Sequence, residues 1–172
     1  STDRTVEIAK GYPVRLIEER IRSSYAARNT GAHVARGSIL AFTDVDCRPC
    51  RQWVSAALSA LDNGADCVAG RIEHEVEDPA SPWEYYNTLF FWDQRWYVAM
   101  GWAATANLIV KREVFKRVGP FYLAESASDK EWGLRASALH MVLCYSEVAT
   151  VRHITRKCFA EIAAKLRRDA LA

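Results

Sequence analysis

The sequence lacks a long apolar run, a strong excess of charge of one sign and an evenly paired set of cysteines. None of its apolar runs approaches the roughly 18 residues that a membrane-spanning helix requires. The formal net charge is only +2, so charge gives no argument for a nucleic-acid partner. The five cysteines are an odd number at scattered spacings, which favours a reducing compartment over a disulfide framework. We therefore expect a cytoplasmic protein.

Strand and helix patterns alternate along the 172 residues, a length that suits one domain. Residues 38–43 (SILAFT) form an apolar run that is too short for a helix and is typical of a buried, parallel strand. Helical spacing follows at residues 51–63, and further strands are predicted at residues 67–76 and 14–18. This alternation predicts an α/β fold with a mostly parallel central sheet flanked by helices.

The stretch FTDVDCRPC, residues 42–50, suggests two chemistries at the end of one predicted strand. Cys47 and Cys50 have the spacing of a thiol-disulfide pair at a strand-to-helix junction, where a helix N-terminus lowers a thiol pKa. A zinc site would need two more ligands, and the sequence offers no second close pair. Asp44 and Asp46 could instead hold a hard divalent cation, although Asp46 could also simply cap the next helix. These residues alone leave both chemistries open.

The surroundings of the two aspartates add a wider pattern. The stretch SYAARNTGAHVARGSILAFTDVDCRP resembles the core of the family 2 glycosyltransferases, which have the GT-A type fold of nucleotide-diphosphosugar transferases. In that family an Ala-Arg-Asn-x-Gly helix leads through small residues into an apolar strand that ends in Asp-x-Asp. Here the matching positions are Arg28, Asn29, Gly31, Asp44 and Asp46.

Two later stretches continue the resemblance in the family's order. TANLIVKREVFKRVGPF is similar to its small-Asn-apolar strand and Arg-x-x-Phe helix, and SASDKEWGLRA is similar to its acidic segment before a helix. In SASDKEWGLRA, Asp129 matches the family's catalytic base, while Ser128 stands where many members have Glu. His153, in ATVRH, matches a histidine that completes the metal site in some members.

The resemblance implies that a sugar moves from a nucleotide-diphosphosugar donor to a hydroxyl of a glycan, a lipid or another acceptor. It also implies that the reaction inverts the anomeric configuration and that a divalent cation, Mn²⁺ or Mg²⁺, assists it. Asp46, with Asp44 and His153, is expected to hold the cation. Arg28, Asn29 and Asp44 are expected to bind the nucleotide-sugar. Solvated or local structural roles for Arg28 and Asn29 fit the sequence equally well.

The resemblance also assigns an acceptor side. Asp129 is expected to take the proton of the attacking hydroxyl, a role compatible with capping its helix. Trp132 lies about one turn further along that helix, where it could stack on a sugar ring or belong to the core. Asn107 and Arg135 are weaker candidates for acceptor binding.

The family pattern divides the chain into three parts. Residues 1–78 are expected to supply the rest of the nucleotide-sugar half, residues 79–153 the acceptor half, and residues 154–172 a C-terminal amphipathic helix. The basic face of that helix usually means a solvated surface; the alternative is a peripheral contact with the inner face of the membrane.

The start of the sequence departs from the pattern. Family members begin with a strand, a helix and a second strand that ends in Asp-Asp-Gly-Ser-Thr-Asp, and this sequence begins inside that motif, at Ser1-Thr2-Asp3. We therefore expect a GT-A type fold without its N-terminal strand-helix-strand. Two alternatives to a transferase remain: a thiol-disulfide oxidoreductase that uses Cys47 and Cys50, and a non-catalytic scaffold of the glycosyltransferase type.

Overall fold

The structure is a computed structural model that describes residues 3–170. Ser1 and Thr2, which belong to the partial N-terminal motif, lie outside the described residues, as do Leu171 and Ala172. Within the described range the strands are β1 (Ile39–Thr43), β2 (Cys47–Pro49), β3 (Cys67–Glu75), β4 (Asn107–Lys111) and β5 (Leu143–Ile154). The helices are α1 (Thr5–Lys10), α2 (Ser24–Val34), α3 (Trp53–Asp62), α4 (Pro82–Phe90), α5 (Gln94–Ala99), α6 (Arg112–Val118), α7 (Ser128–Ala138) and α8 (Phe159–Ala170).

The predicted α/β architecture is present, but the prediction of a mostly parallel sheet is wrong. The five strands form one mixed sheet in the order β1-β4-β3-β5-β2. Only β3 and β5 pair in parallel, whereas β1 with β4, β3 with β4 and β2 with β5 pair antiparallel. Strands β1, β3 and β5 do point the same way, as strand–helix alternation implies. The reversed β4 lies between β1 and β3 and makes both of its contacts antiparallel.

The two strands that form the first antiparallel pair differ in burial: β1, at the edge of the sheet, buries Leu40 and Phe42 but exposes Ala41 and Thr43, whereas β4 is covered on both faces. Helices α2, α6 and α7 cover one face, where Leu108 and Val110 of β4 lie in the core. Helix α3 covers the other face, against Ile109. A strand buried on both faces reads as an unbroken apolar run, which is the pattern of parallel strands. An apolar run therefore does not reveal the direction of the neighbouring strand: the run of β4 reflects burial on both faces, and the run of β1 belongs to an antiparallel edge strand.

Two smaller predictions also change. Residues 14–18 form no strand; Val14 and Leu16 are exposed, and this segment pairs with no other strand of residues 3–170. The sequence pattern indicates two short strands at residues 141–145 and 150–153, but the structure has one long strand, β5. Among the described residues we find no helix with the length and apolarity needed to cross a bilayer.

Candidate active site

The carboxyl ends of β1, β3 and β5 meet at one edge of the sheet, where a cleft of about 870 Å³ opens. Ligands of open α/β sheets bind at this position. The cleft brings together residues that are far apart in the chain. Its polar lining includes Tyr25, Arg28, Asp44, Asp46, Asp129, Lys130, His153, Arg156, Lys165, Arg168 and Asp169.

A tight turn orients the two aspartates that follow β1. The backbone N–H of Cys47 donates to the carbonyl of Asp44 at 3.1 Å, and Val45 at the tip of the turn is 96% exposed. The turn, and not an extended chain, places both carboxylates at the cleft. Asp44 forms an ion pair with Arg28 of α2, and both side chains are largely buried.

Asp46 lies beside His153 because β2 pairs with β5. The Nε2 atom of His153 is 3.5 Å from a carboxylate oxygen of Asp46. The Nδ1 atom is 2.7 Å from the carbonyl oxygen of Ile154, so Nδ1–H donates there and, in the neutral ring, Nε2 carries the lone pair. The indole of Trp92 packs on the imidazole at 4.6 Å between ring centroids. This arrangement directs a ring nitrogen that could serve as a metal ligand toward a carboxylate.

Asp129 lies at the first turn of α7, where a negative charge is favourable. One carboxylate oxygen accepts a hydrogen bond from the hydroxyl of Tyr25 at 3.2 Å, and the other accepts from the backbone N–H of Thr105 at 3.2 Å. Burial and the neighbouring Asp129 carboxylate raise the pKa of Tyr25, so its hydroxyl stays protonated and donates. These contacts hold the carboxylate toward the cleft while lone pairs stay available.

Two residues expected at the nucleotide or acceptor lie elsewhere. The side chain of Asn29 bonds the backbone of Phe121 twice, accepting at 2.9 Å and donating at 2.8 Å. Asn107 is fully buried; its oxygen accepts from the Trp53 indole at 2.7 Å, and its amide donates to two backbone carbonyls. Asn107 uses its hydrogen-bonding capacity inside the protein, and Asn29 holds the backbone of Phe121 and is not part of the cleft lining.

The two acceptor candidates on α7 also point away from the cleft. Trp132 is 2% exposed, donates its indole N–H to the carbonyl of Gly119 at 2.8 Å and stacks on Phe115. Arg135 pairs with Glu131 and packs on the ring of Tyr122. The helix direction that brings Asp129 to the cleft turns residues 132 and 135 toward the core and the far surface.

The structure contradicts the premise of the redox hypothesis, which is that a helix N-terminus lowers the pKa of one of the two thiols. Cys47 lies on strand β2 and Cys50 follows that strand, three residues before α3 begins, so neither thiol is at a helix N-terminus. Burial raises the pKa of the Cys47 thiol to about 11, the opposite of the shift that activates a redox cysteine. Both cysteines are free in the structure.

Sequence reasoning missed several residues of the cleft. Tyr25 has no motif of its own, and its role follows only from its hydrogen bond to Asp129. Trp92 belongs to an aromatic segment, residues 83–97, in which the sequence does not indicate which ring reaches the cleft. Lys165 and Arg168 were expected on a solvated basic face, but they line the cleft, and Lys165 pairs with Asp169 one turn along α8. The sequence shows the spacing of Lys165 and Arg168 along the helix, but it does not show which way the helix faces.

Comparisons with known proteins agree with this geometry. A model described as "Glycosyl transferase family 2" matches residues 1–132. Glycosyltransferase AglE of Haloferax volcanii is 35% identical over 147 residues, which cover 80% of this chain and 48% of that protein. The chain thus spans about half the length of this relative.

Solved structures share the fold at low sequence identity. The mannosyltransferase PcManGT from Pyrobaculum calidifontis, in complex with GDP-Man and Mn²⁺, has a TM-score of 0.66 at 21% identity, covering 96% of this chain and 46% of that one. S. aureus TarS, in complex with UDP-GlcNAc, has a TM-score of 0.68 at 16% identity, covering 92% and 48%. GalNAc-T7, with UDP, GalNAc and Mn²⁺, has a TM-score of 0.60 at 16% identity, covering 81% and 32%.

Proposed function

The chain belongs to glycosyl transferase family 2, and from this premise we propose that it transfers a sugar from a nucleotide-diphosphate donor to an acceptor hydroxyl. The observation that supports this most strongly is a single cleft that collects Asp44 and Asp46, His153 and Asp129 from three separate parts of the chain. The cleft contains two carboxylates that can bind a cation, those of Asp44 and Asp46, and a third, that of Asp129, that can accept a proton.

We propose that a divalent cation, Mn²⁺ or Mg²⁺, is held mainly by Asp46 and His153. The residues fit an ion because a carboxylate and an imidazole lone pair face each other at 3.5 Å. The bound ion would stabilise the negative charge that develops on the leaving diphosphate. Asp44, paired with Arg28, faces the same cleft and supports the donor side. Two of the neighbouring structures were solved with Mn²⁺.

Basic side chains complement an anionic donor. Arg156, Lys165 and Arg168 reach the cleft from the end of β5 and from α8. Guanidinium and ammonium groups bind phosphate oxygens with charge-assisted hydrogen bonds. We therefore propose that these three residues contact the diphosphate, whereas Asn29 bonds the backbone of Phe121. Residues 1–78 would then share the donor side with the C-terminal segment that carries these basic residues, and residues 79–153 would supply most of the acceptor side.

Asp129 is the proposed general base. Its carboxylate is oriented by Tyr25 and Thr105 and faces the cleft that also contains the cation residues. It would take the proton of the acceptor hydroxyl as that oxygen attacks the sugar. A single base acting opposite the leaving diphosphate gives in-line displacement with inversion. A cytoplasmic location and a peripheral membrane contact of α8 stay predictions.

The direct test is nucleotide binding measured by thermal unfolding. At a ligand concentration about 100 times Kd, binding adds about 2.7 kcal/mol, or about 5–10 °C in Tm for a domain of this size. We expect such a shift with UDP or GDP in the presence of Mn²⁺ and its loss in Asp46→Asn. Asp62→Asn, at the exposed end of α3, is the matched control and should keep the shift.

Product analysis then separates a transferase from a scaffold. Release of nucleotide diphosphate from a nucleotide-sugar, with the opposite anomeric configuration in the product by NMR, would establish the reaction. Nucleotide binding without any turnover would favour the non-catalytic scaffold. Absence of a shift with every nucleotide tested would refute the proposed function.

A further inference from the structure

The pairing of β2 with β5 places a third donor next to Asp46 and His153. Cys47 is directly opposite His153 in the antiparallel ladder, and directly opposite side chains lie on the same face. A carboxylate oxygen of Asp46, the thiol sulfur of Cys47 and a ring nitrogen of His153 all lie within 4.8 Å of one another. Ligand atoms around one tetrahedral ion are about 3.3–3.8 Å apart, so small side-chain rotations would close the set.

We propose that Cys47 is the third protein ligand of the metal centre, so that the ion is bound by a carboxylate, a thiolate and an imidazole. The inference rests on the proposed function for the existence of the centre, and it adds a ligand and a metal preference. Thiolate ligands favour Zn²⁺ and Co²⁺ over Mg²⁺, which prefers oxygen alone. Three protein ligands leave a coordination position for a phosphate oxygen of the donor.

The surroundings of Cys47 suit such a ligand. The thiol is half-buried and packs beside the apolar cluster that contains Ile72 and Val151, which keeps one side of the site dry. The hydrogen bond to Ile154 holds the ring of His153. The β2–β5 ladder fixes the backbone of His153 and of Cys47, so two of the three donor residues are held in place. On binding, the thiol proton passes to solvent, and the thiolate and the carboxylate together balance the charge of a divalent ion.

Co²⁺ is the probe, added to the whole chain without any nucleotide. A Co²⁺–thiolate bond gives an intense charge-transfer absorption in the near ultraviolet, and carboxylate or imidazole ligands do not. We expect this band in the wild-type chain and its loss in Cys47→Ser, with Kd for Co²⁺ raised at least about 10-fold. Cys50→Ser is the matched control: its thiol bonds the carbonyl of Val148 at 3.5 Å, so the band should persist.

Several outcomes overturn the inference. Co²⁺ binding without the band, or with the same Kd in Cys47→Ser, would show that Cys47 is only a small buried side chain beside the site. If Cys47→Ser does not fold, the band of the wild-type chain must persist in both Cys50→Ser and Cys158→Ser, and its loss in either variant would overturn the inference. Nucleotide-dependent stabilisation by Mn²⁺ that persists without the band would leave the proposed function intact and refute only the cysteine ligand. A complete lack of Co²⁺ binding refutes the cysteine ligand, and the Mn²⁺-dependent shift with nucleotide then decides separately whether the metal centre exists.

Discussion

Replacing Asn107 tests whether this residue holds the sheet together or binds a substrate. Its side chain is fully buried and makes three hydrogen bonds. The oxygen accepts from the Trp53 indole of α3 at 2.7 Å, and the amide donates to the carbonyls of Arg71 and Ala149 at 2.8 Å each. It therefore links β4 to β3, β5 and α3.

The cost of Asn107→Ala follows from these contacts. Each hydrogen bond contributes about 0.5–1.5 kcal/mol net, and each buried partner left unpaired adds its own desolvation penalty. We expect the free energy of unfolding to fall by about 3–5 kcal/mol. Asn107→Asp keeps the shape but points a carboxylate oxygen at two carbonyl oxygens, so we expect it to be at least as destabilising.

Urea denaturation followed by circular dichroism measures the change. Asn63→Ala, at the exposed end of α3, is the matched control and should alter stability by no more than about 0.5 kcal/mol. A loss of less than about 1 kcal/mol in Asn107→Ala would refute the structural role. A raised KM with unchanged stability would return Asn107 to the acceptor site.

Two further predictions concern the base and the sheet. Asp129→Asn should lower kcat about 100- to 10,000-fold while nucleotide binding persists. Steady-state kinetics would measure kcat, and the thermal-shift assay would measure nucleotide binding. An unchanged kcat would exclude the base role. Gly70→Ala should destabilise the fold by about 1–3 kcal/mol, because a Cβ there would collide with the Ala149 carbonyl and the Asn107 amide. Gly31→Ala, whose Cβ would meet no atom within 4 Å, is the control in the same denaturation assay and should be neutral or stabilising.

Polar residues with partners inside the protein limited the interpretation of the sequence. Asn29, Asn107 and Arg135 have the chemistry of ligand-binding residues, but their partners are backbone and side-chain groups up to 92 residues away. No local pattern distinguishes a polar side chain that binds substrate from one that satisfies buried backbone groups. Only the folded chain shows which partner each one has.

The sequence by itself determined the family and the edge of the sheet at which the site lies. Asp44 and Asp46 directly follow an apolar strand, and residues that follow such a strand lie where open α/β sheets bind ligands; the strand is recognisable because strand length is a local property. The tertiary structure decided the strand directions, the pairing of Cys47 with His153 and the inward orientation of Trp132. These three features depend on contacts between segments that are distant in sequence. Hydrophobic periodicity indicates which face of an element is buried, but it does not indicate which other element covers that face.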